Sequence, residues 1–215
     1  MDSELDGYIA AHTSAEPRLL HELYRDTWLR RLYPRMCSGH VQGRILKMLV
    51  AMVRPHRVLE LGTFSGYSAL CLAEGLTSDA DEVHTVEIDD EAEPFIRGWF
   101  DRSPLGKRIR LHIGDAFDVV PQISSEPWDM VYIDANKRHY VGYLDMILPL
   151  MSPGGYIIAD NTLWSGKVAD DEALRHDPQA RGVAEFNERV ARDPRLETVI
   201  LPLRDGLSFI RVLPA

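Results

Sequence analysis

The sequence is poor in cysteine and has no long apolar run. Its 215 residues include two cysteines, Cys37 and Cys71, which do not form a C-x-x-C pair. A disulfide scaffold is therefore excluded, and we expect both thiols to be reduced. No stretch approaches the ~18 consecutive apolar residues that a membrane span needs. The acidic start, MDSELDGYIAAHTSAEP, lacks the apolar segment of a signal peptide. We expect a cytoplasmic protein without membrane association.

Basic residues are outnumbered by acidic ones, with 24 Lys and Arg against 33 Asp and Glu and a formal net charge of -9. Binding to nucleic acid needs clustered positive charge, so we expect no nucleic-acid partner. The hydrophobic share of 45% is ordinary for a globular protein. The length fits one domain over residues 1–215. Within it we predict an N-terminal helical extension over 1–55 and a core over 56–215.

The first part of the chain has helical periodicity. Apolar residues recur at helix spacing in Ser3–His12, Glu16–Arg31 and Val41–Val53, and Pro34 follows the second of these segments. From Arg57 onward, short apolar runs alternate with helical stretches, as strand-helix-strand units do. The runs are Val58–Leu61, Val83–Val86, Ile109–Ile113, Met130–Ile133, Tyr156–Ala159, Thr198–Leu201 and Ser208–Val212.

The last two runs are separated only by residues 202–207, which is too short for a crossover helix, so we expect an antiparallel pair. The pattern predicts an α/β, Rossmann-like fold with a mixed sheet of about seven strands and helices on both faces. Ligands of such sheets bind at the carboxyl ends of the strands. The residues that follow each run are therefore the candidates for a functional site.

Three strand ends carry candidate nucleoside-binding residues. Glu60, Gly62 and Ser68 lie in ELGTFSGYS, where glycines permit close approach of a ligand and a helix start offers free N–H groups to an anion. A tight turn without a ligand explains this loop as well. Glu87 follows the next run and suits a ribose, although it can also be a solvated carboxylate. Asp115 can cap the next helix, flank an adenine, or do both.

Two further strand ends carry hard oxygen ligands. Asp134 follows the fourth run, and Asp160 and Asn161 follow the fifth. Neighbouring strands would bring them together as a site for Mg²⁺ or Ca²⁺, although Asp160 or Asn161 can equally cap a helix. Lys137 lies three residues after Asp134. A cation beside it would lower its pKa and let it act as a general base, whereas a surface lysine is the simpler reading.

Taken together, these stretches resemble the cation-dependent, SAM-dependent O-methyltransferases. This family includes caffeoyl-CoA O-methyltransferase, its bacterial relatives and, more distantly, catechol O-methyltransferase. The similarity runs from about Met36 to the C-terminus, and the combination of YIDANK with ADNTLWSG is its most specific part. The other matching stretches are VLELGTFSGYSAL, VHTVEID, GDAFDVVP and LRDGLSFIRV.

The resemblance implies a Rossmann-like SAM-methyltransferase fold and a role for each matching position. Glu60, Gly62 and Ser68 are expected to hold the methionine part of SAM, and Glu87 its ribose. Asp115 and Ala116 would lie beside the adenine, and Met36 and Ser38 would cover the sulfonium. The metal, Mg²⁺ before Ca²⁺ or Mn²⁺, is expected on Asp134, Asp160 and Asn161, with Asp134 also near SAM. Lys137 and Asp134 would be catalytic.

The acceptor implied by the resemblance is a small catechol-like molecule, and relatives are commonly homodimers. His40 can line the acceptor site or be an ordinary residue at a helix start, and Trp164 can stack on the acceptor or pack internally. The polar segment 167–181 is expected to be a loop near the acceptor. The alternatives are a nicotinamide-dependent enzyme or a non-catalytic SAM-binding domain. The first would require G-x-G-x-x-G after the first strand, which is absent.

Overall fold

A computed structural model describes residues 3–214. The helices are α1 (Ser3–Ala11), α2 (Arg18–Arg30), α3 (Gly39–Val53), α4 (Tyr67–Gly75), α5 (Glu93–Asp101), α6 (Ala116–Ile123), α7 (Tyr140–Ile147), α8 (Asp171–His176) and α9 (Pro178–Arg192). The strands are β1 (Arg57–Leu61), β2 (Glu82–Glu87), β3 (Ile109–Ile113), β4 (Trp128–Ile133), β5 (Met151–Asp160), β6 (Leu196–Leu201) and β7 (Leu207–Val212). Within this part of the chain, no helix is long and apolar enough to cross a membrane.

The strands form a seven-stranded sheet in the order β3-β2-β1-β4-β5-β7-β6. Strand β2 pairs in parallel with β3, and β4 pairs in parallel with β1 and β5. Strand β7 is antiparallel to both β5 and β6. The predicted fold class, including the antiparallel final pair, is confirmed.

Contacts between Cα atoms divide the chain into two compact units. The first unit comprises the residues up to 56 together with 63–113, and the second comprises 57–62 together with the residues from 114 onward. The predicted division into a helical extension and a core stays a prediction.

In the first unit, helices α3 and α4 pack closely because glycines let their backbones approach. A Cβ atom on Gly43 would lie 2.9 Å from the Tyr67 ring, and one on Gly75 would lie 2.6 Å from Val50 Cβ. Leu46 and Val50 are fully buried, as the predicted apolar stripe of α3 requires.

In the second unit, α9 packs against α7. Phe186 is fully buried and meets the ring of Tyr140 edge-on, with the ring centroids 5.4 Å apart. Helix α9 begins where Asp177 caps it and Pro178 occupies its first turn. The prediction of a loop over residues 167–181 is therefore wrong: α8 and the start of α9 occupy most of it, each capped by an aspartate.

Candidate active site

Gly62, in the second unit, directly follows β1 and lies against the backbone of Asp134. The Asp134 N–H donates to the carbonyl of Leu61 at 2.9 Å. Gly62 has a φ of +96°, and a Cβ atom there would collide with the Asp134 carbonyl oxygen. The glycine is therefore needed for close approach of the chain to its own backbone, and the predicted close approach to a ligand stays a prediction. Glu60, in β1, is fully buried.

Lys137 and Asp134 form a part-buried ion pair. The Nζ atom of Lys137 lies 2.7 Å from Asp134 Oδ1, and only 6% of Lys137 is exposed. Burial alone would lower the pKa of Lys137, but the charge of Asp134 and the nearby Tyr140 outweigh it, so that this pKa is raised. The expectation of a lowered pKa assumed a neighbouring cation, whereas the neighbour here is a carboxylate.

The pKa of Asp134 is raised to about 6, and the largest cause is the burial of its carboxyl group. Lys137 and Arg204 oppose this effect, whereas the negative charge of Asp160 adds to it. Asp134 and Asp160 are therefore close enough to repel each other. Their strands are in register, because Ile133 of β4 pairs with Ala159 of β5, which brings the two following aspartates to the same sheet edge.

Asp160 is 5% exposed, and hydrogen bonds hold its carboxylate in place. It accepts hydrogen bonds from the Tyr132 hydroxyl at 3.2 Å and from the Asn161 N–H at 2.8 Å. The Tyr140 hydroxyl donates to the carbonyls of Asp160 at 2.9 Å and Ile133 at 3.2 Å. Neither Asp160 nor Asn161 caps a helix, so the capping alternative does not hold.

Two segments of the second unit with left-handed backbone are bonded to each other. In the segment 160–166, Asn161, Trp164 and Ser165 have φ values of 58°, 46° and 55°. The β6–β7 turn, residues 202–206, contains Arg204 with a φ of 50°. Carbonyls of this turn accept from Thr162 N–H at 3.1 Å and Leu163 N–H at 2.9 Å. Strained backbone of this kind is concentrated at functional sites.

Trp164 is half-buried, and its indole N–H donates to Asp177 at 3.1 Å.

At another strand end of the second unit, Asp115 caps α6 by accepting from the Phe117 N–H at 2.9 Å. Ala116 is the first residue of that helix. The capping role proposed for Asp115 is thus present, and its predicted contact with adenine stays a prediction.

The remaining predicted residues lie in the first unit. Both oxygens of Glu87 accept backbone N–H groups, from Phe64 at 2.7 Å and Asp89 at 2.9 Å. Glu87 is 8% exposed, so the solvated alternative does not hold. A carboxylate has about four acceptor sites, which leaves capacity for a ribose hydroxyl. Ser68 is buried in the first turn of α4, before the first intrahelical bond from Leu70 N–H to Gly66.

The N-terminal candidates of the first unit differ in exposure. Met36 is 56% exposed and ends a short 3-10 turn, whereas Ser38 is buried just before α3. The His40 ring donates to the Ser14 carbonyl at 2.7 Å, which ties it to the N-terminal segment. This bond favours the ordinary structural role of His40 over an acceptor contact.

No sequence pattern selects Tyr132, Tyr140 or Asp177 as site residues, because their roles depend on side-chain hydrogen bonds across the fold. Each nevertheless contacts a predicted site residue.

Among residues 3–214, no three His, Cys, Asp or Glu side chains form a metal-binding group. The predicted set instead combines two carboxylates with the amide of Asn161.

A model of the O-methyltransferase family matches residues 10–213. The chain belongs to this family. It is 32% identical to the catechol O-methyltransferase of Niastella koreensis, over 75% of this chain and 73% of that protein.

Two solved structures are similar to this O-methyltransferase over nearly its whole length. One is an O-methyltransferase from Bacillus cereus in complex with SAH, with a TM-score of 0.89, 29% identity and 97% of both chains covered. The other is the O-methyltransferase TomG from Streptomyces achromogenes in complex with SAM, with a TM-score of 0.90, 25% identity and 99% of both chains covered. The protein is a SAM-dependent O-methyltransferase. The comparisons therefore favour this reading over a nicotinamide-dependent enzyme. The individual SAM-contacting residues stay predictions.

Proposed function

We propose that this O-methyltransferase uses a divalent cation to methylate a hydroxyl group of a catechol-like acceptor. The observation that carries the proposal is the convergence of Asp134, Asp160 and Asn161 at the ends of two neighbouring parallel strands. The name of the Niastella koreensis relative, a catechol O-methyltransferase, supports the acceptor class.

The donor set fits a hard cation. The two carboxylates repel each other, since the charge of Asp160 raises the pKa of Asp134, and a divalent ion would remove that repulsion. Carboxylate and amide oxygens suit Mg²⁺, and Ca²⁺ or Mn²⁺ accept the same ligands. Asp160 is held in place by Tyr132 and by the Asn161 N–H. Such supporting bonds orient metal ligands.

Methyl transfer to a phenol requires an oxygen that has lost its proton, because a free phenol has a pKa of about 10. The cation, when bound, lowers the pKa of a hydroxyl that it contacts. Lys137 is our candidate for the group that accepts the proton at Nζ. Asp134 fixes the position of Nζ by their 2.7 Å contact and keeps it protonated while the two charges face each other. Lys137 can accept a proton only in its neutral form. That form becomes accessible only when the Asp134 carboxylate no longer faces Nζ. SAM supplies the methyl group, and the aromatic face of Trp164 can support the acceptor ring.

The test is methylation of a catechol with SAM, before and after removal of metal with EDTA and after readdition of Mg²⁺. We expect chelation to abolish the activity and Mg²⁺ to restore it. The variant Asp160→Asn should lose about 100-fold or more in activity at limiting Mg²⁺. Asp145→Asn is the matched control, because that carboxylate is 55% exposed and pairs with Arg189 on the surface. Full activity after rigorous removal of metal would contradict the proposal.

The role of Lys137 needs a separate experiment. Lys137→Met should lower kcat with little effect on SAM binding, and Lys107→Met, on an exposed residue, serves as the control. An unchanged kcat in Lys137→Met would exclude the base role.

We also propose a homodimer. Support comes from large apolar side chains exposed at or near α2 and α3, since Leu29, Leu32 and Met52 are 73%, 82% and 75% exposed. Size-exclusion chromatography with light scattering would test the dimer. A monomeric mass at micromolar concentration would contradict this proposal.

A further inference from the structure

The indole of Trp164 is anchored, although its backbone segment is strained. Trp164 lies three residues after Asn161, and both have left-handed backbone. A half-buried indole needs a hydrogen-bond acceptor for its N–H. Here the acceptor is Oδ2 of Asp177, at 3.1 Å. The orientation of the aromatic face thus depends on a residue thirteen positions along the chain.

Asp177 is itself held from two sides. Its Oδ1 atom accepts the backbone N–H groups of Gln179 at 2.9 Å and Ala180 at 3.2 Å, in the first turn of α9. Its Oδ2 atom accepts the Lys167 ammonium at 2.9 Å in addition to the indole. The hydrogen bonds from Lys167 and Trp164 hold the pKa of Asp177 well below its usual range. The carboxylate therefore remains ionised at neutral pH and keeps both oxygens as acceptors.

We propose that Asp177 is a positioning residue, which fixes the indole of Trp164 as the aromatic wall for the acceptor ring. The inference rests on the proposed function for the acceptor. A planar ring stacks well only on a face that is already oriented, and ordering a loose side chain on binding weakens affinity. Loss of the Asp177 carboxylate should therefore weaken acceptor binding and leave SAM binding unchanged.

The chain offers a matched control for the capping role of Asp177. Asp170 caps α8 by accepting from Glu172 N–H at 2.9 Å and Ala173 N–H at 3.4 Å. In the part of the chain that the structure describes, its side chain makes no bond to an indole. Serine is a cap of similar quality to aspartate. Asp177→Ser and Asp170→Ser therefore both retain a cap, and only Asp177→Ser removes the acceptor of the indole.

The first measurement is independent of acceptor and activity. Trp164→Phe identifies the Trp164 signal among the indole N–H resonances of the four tryptophans. We expect Asp177→Ser to shift that resonance and speed its exchange with solvent, whereas Asp170→Ser leaves it in place. An unchanged Trp164 resonance in Asp177→Ser overturns the inference, whatever the enzyme methylates.

The second measurement is steady-state kinetics with a catechol and SAM. We expect Asp177→Ser to raise the acceptor KM about 10-fold, the loss expected for a hydrogen bond to a charged group, with kcat and the SAM KM close to wild type. Asp170→Ser should keep the wild-type acceptor KM. The double variant Trp164→Phe with Asp177→Ser should be no worse than Trp164→Phe alone, because Asp177 acts through the indole.

Two kinetic outcomes overturn the inference: an equal acceptor KM in Asp177→Ser and Asp170→Ser, or effects of Trp164→Phe and Asp177→Ser that multiply. If the wild-type enzyme methylates no catechol, the proposed function fails. In that case the resonance experiment alone decides whether Asp177 positions the indole of Trp164.

Discussion

The ammonium of Lys137 lies 2.7 Å from the carboxylate of Asp134, and the side chains are 8% and 19% exposed. Removing one charge from such a pair leaves the other buried without compensation, at a cost of about 3–5 kcal/mol. In metal-free protein we therefore expect Asp134→Asn to lower the free energy of unfolding by an amount of that order. The double variant Asp134→Asn with Lys137→Met should recover most of the loss. Urea unfolding in EDTA measures both, and a double variant less stable than Asp134→Asn would refute the pairing argument.

Gly62 provides a prediction about close backbone approach. In Gly62→Ala the new Cβ would meet the Asp134 carbonyl and the backbone would keep a φ of +96°. Gly154→Ala is the control, since Gly154 has a φ of +82° but nothing within 4 Å of an added Cβ. We expect Gly154→Ala to cost about 1–2 kcal/mol from backbone strain alone. Gly62→Ala should cost clearly more and also weaken SAM-dependent activity. Equal losses of thermal stability would show that the collision is relieved.

Asp193 should contribute to acid unfolding. The hydrogen bond from Arg195 lowers the pKa of Asp193 to about 2, against about 3.9 for an unperturbed aspartate. A carboxyl whose pKa is depressed in the folded state stabilises the protein above its unfolded pKa. That contribution is lost as the pH falls from about 4 through 2. Asp193→Asn should reduce the fall in stability across this range and leave the stability difference constant between pH 5 and 7. Chemical unfolding at a series of pH values tests this, and parallel curves for both proteins would count against it.

Tyr140 links the ends of β4 and β5 by hydrogen bonds. Its hydroxyl donates to the carbonyls of Ile133 and Asp160, and the ring is fully buried. Tyr140→Phe leaves these buried acceptors short of a donor, which costs about 1–3 kcal/mol. We also expect a higher Mg²⁺ concentration for half-maximal activity, because Asp160 loses part of its support. Thermal unfolding and a Mg²⁺ titration check the two effects, and a variant equal to wild type in both would contradict this role.

The elements of the fold were largely predictable because their signals are local. Strand β3, Ile109–Ile113, has the predicted bounds, since a simple apolar alternation specifies it. Strand β5 begins at Met151 instead of Tyr156, because Pro153, Gly154 and Gly155 hide its first half. The helices α8 and α9 were missed because their acidic start resembles a solvated loop, although Asp177-Pro178 is a helix-start signal.

The site was predictable only in its residue types. Residues at strand ends can be selected from sequence, because a parallel sheet brings those ends together. The charge state of Lys137 was not predictable, since it depends on a 2.7 Å contact with Asp134 that spacing alone does not reveal. Asp177 likewise follows no strand, and its contact with Trp164 exists only because α9 begins beside the segment 160–166.

The mutual bonding of the segment 160–166 and the β6–β7 turn has a consequence for engineering. Carbonyls of the turn hold the backbone directly after Asn161, so a change in turn length would be transmitted to Asn161 and Trp164 together. Libraries that vary acceptor preference should therefore randomise the two stretches jointly. A graft of either stretch alone from a relative would replace only one partner of the hydrogen bonds that join them.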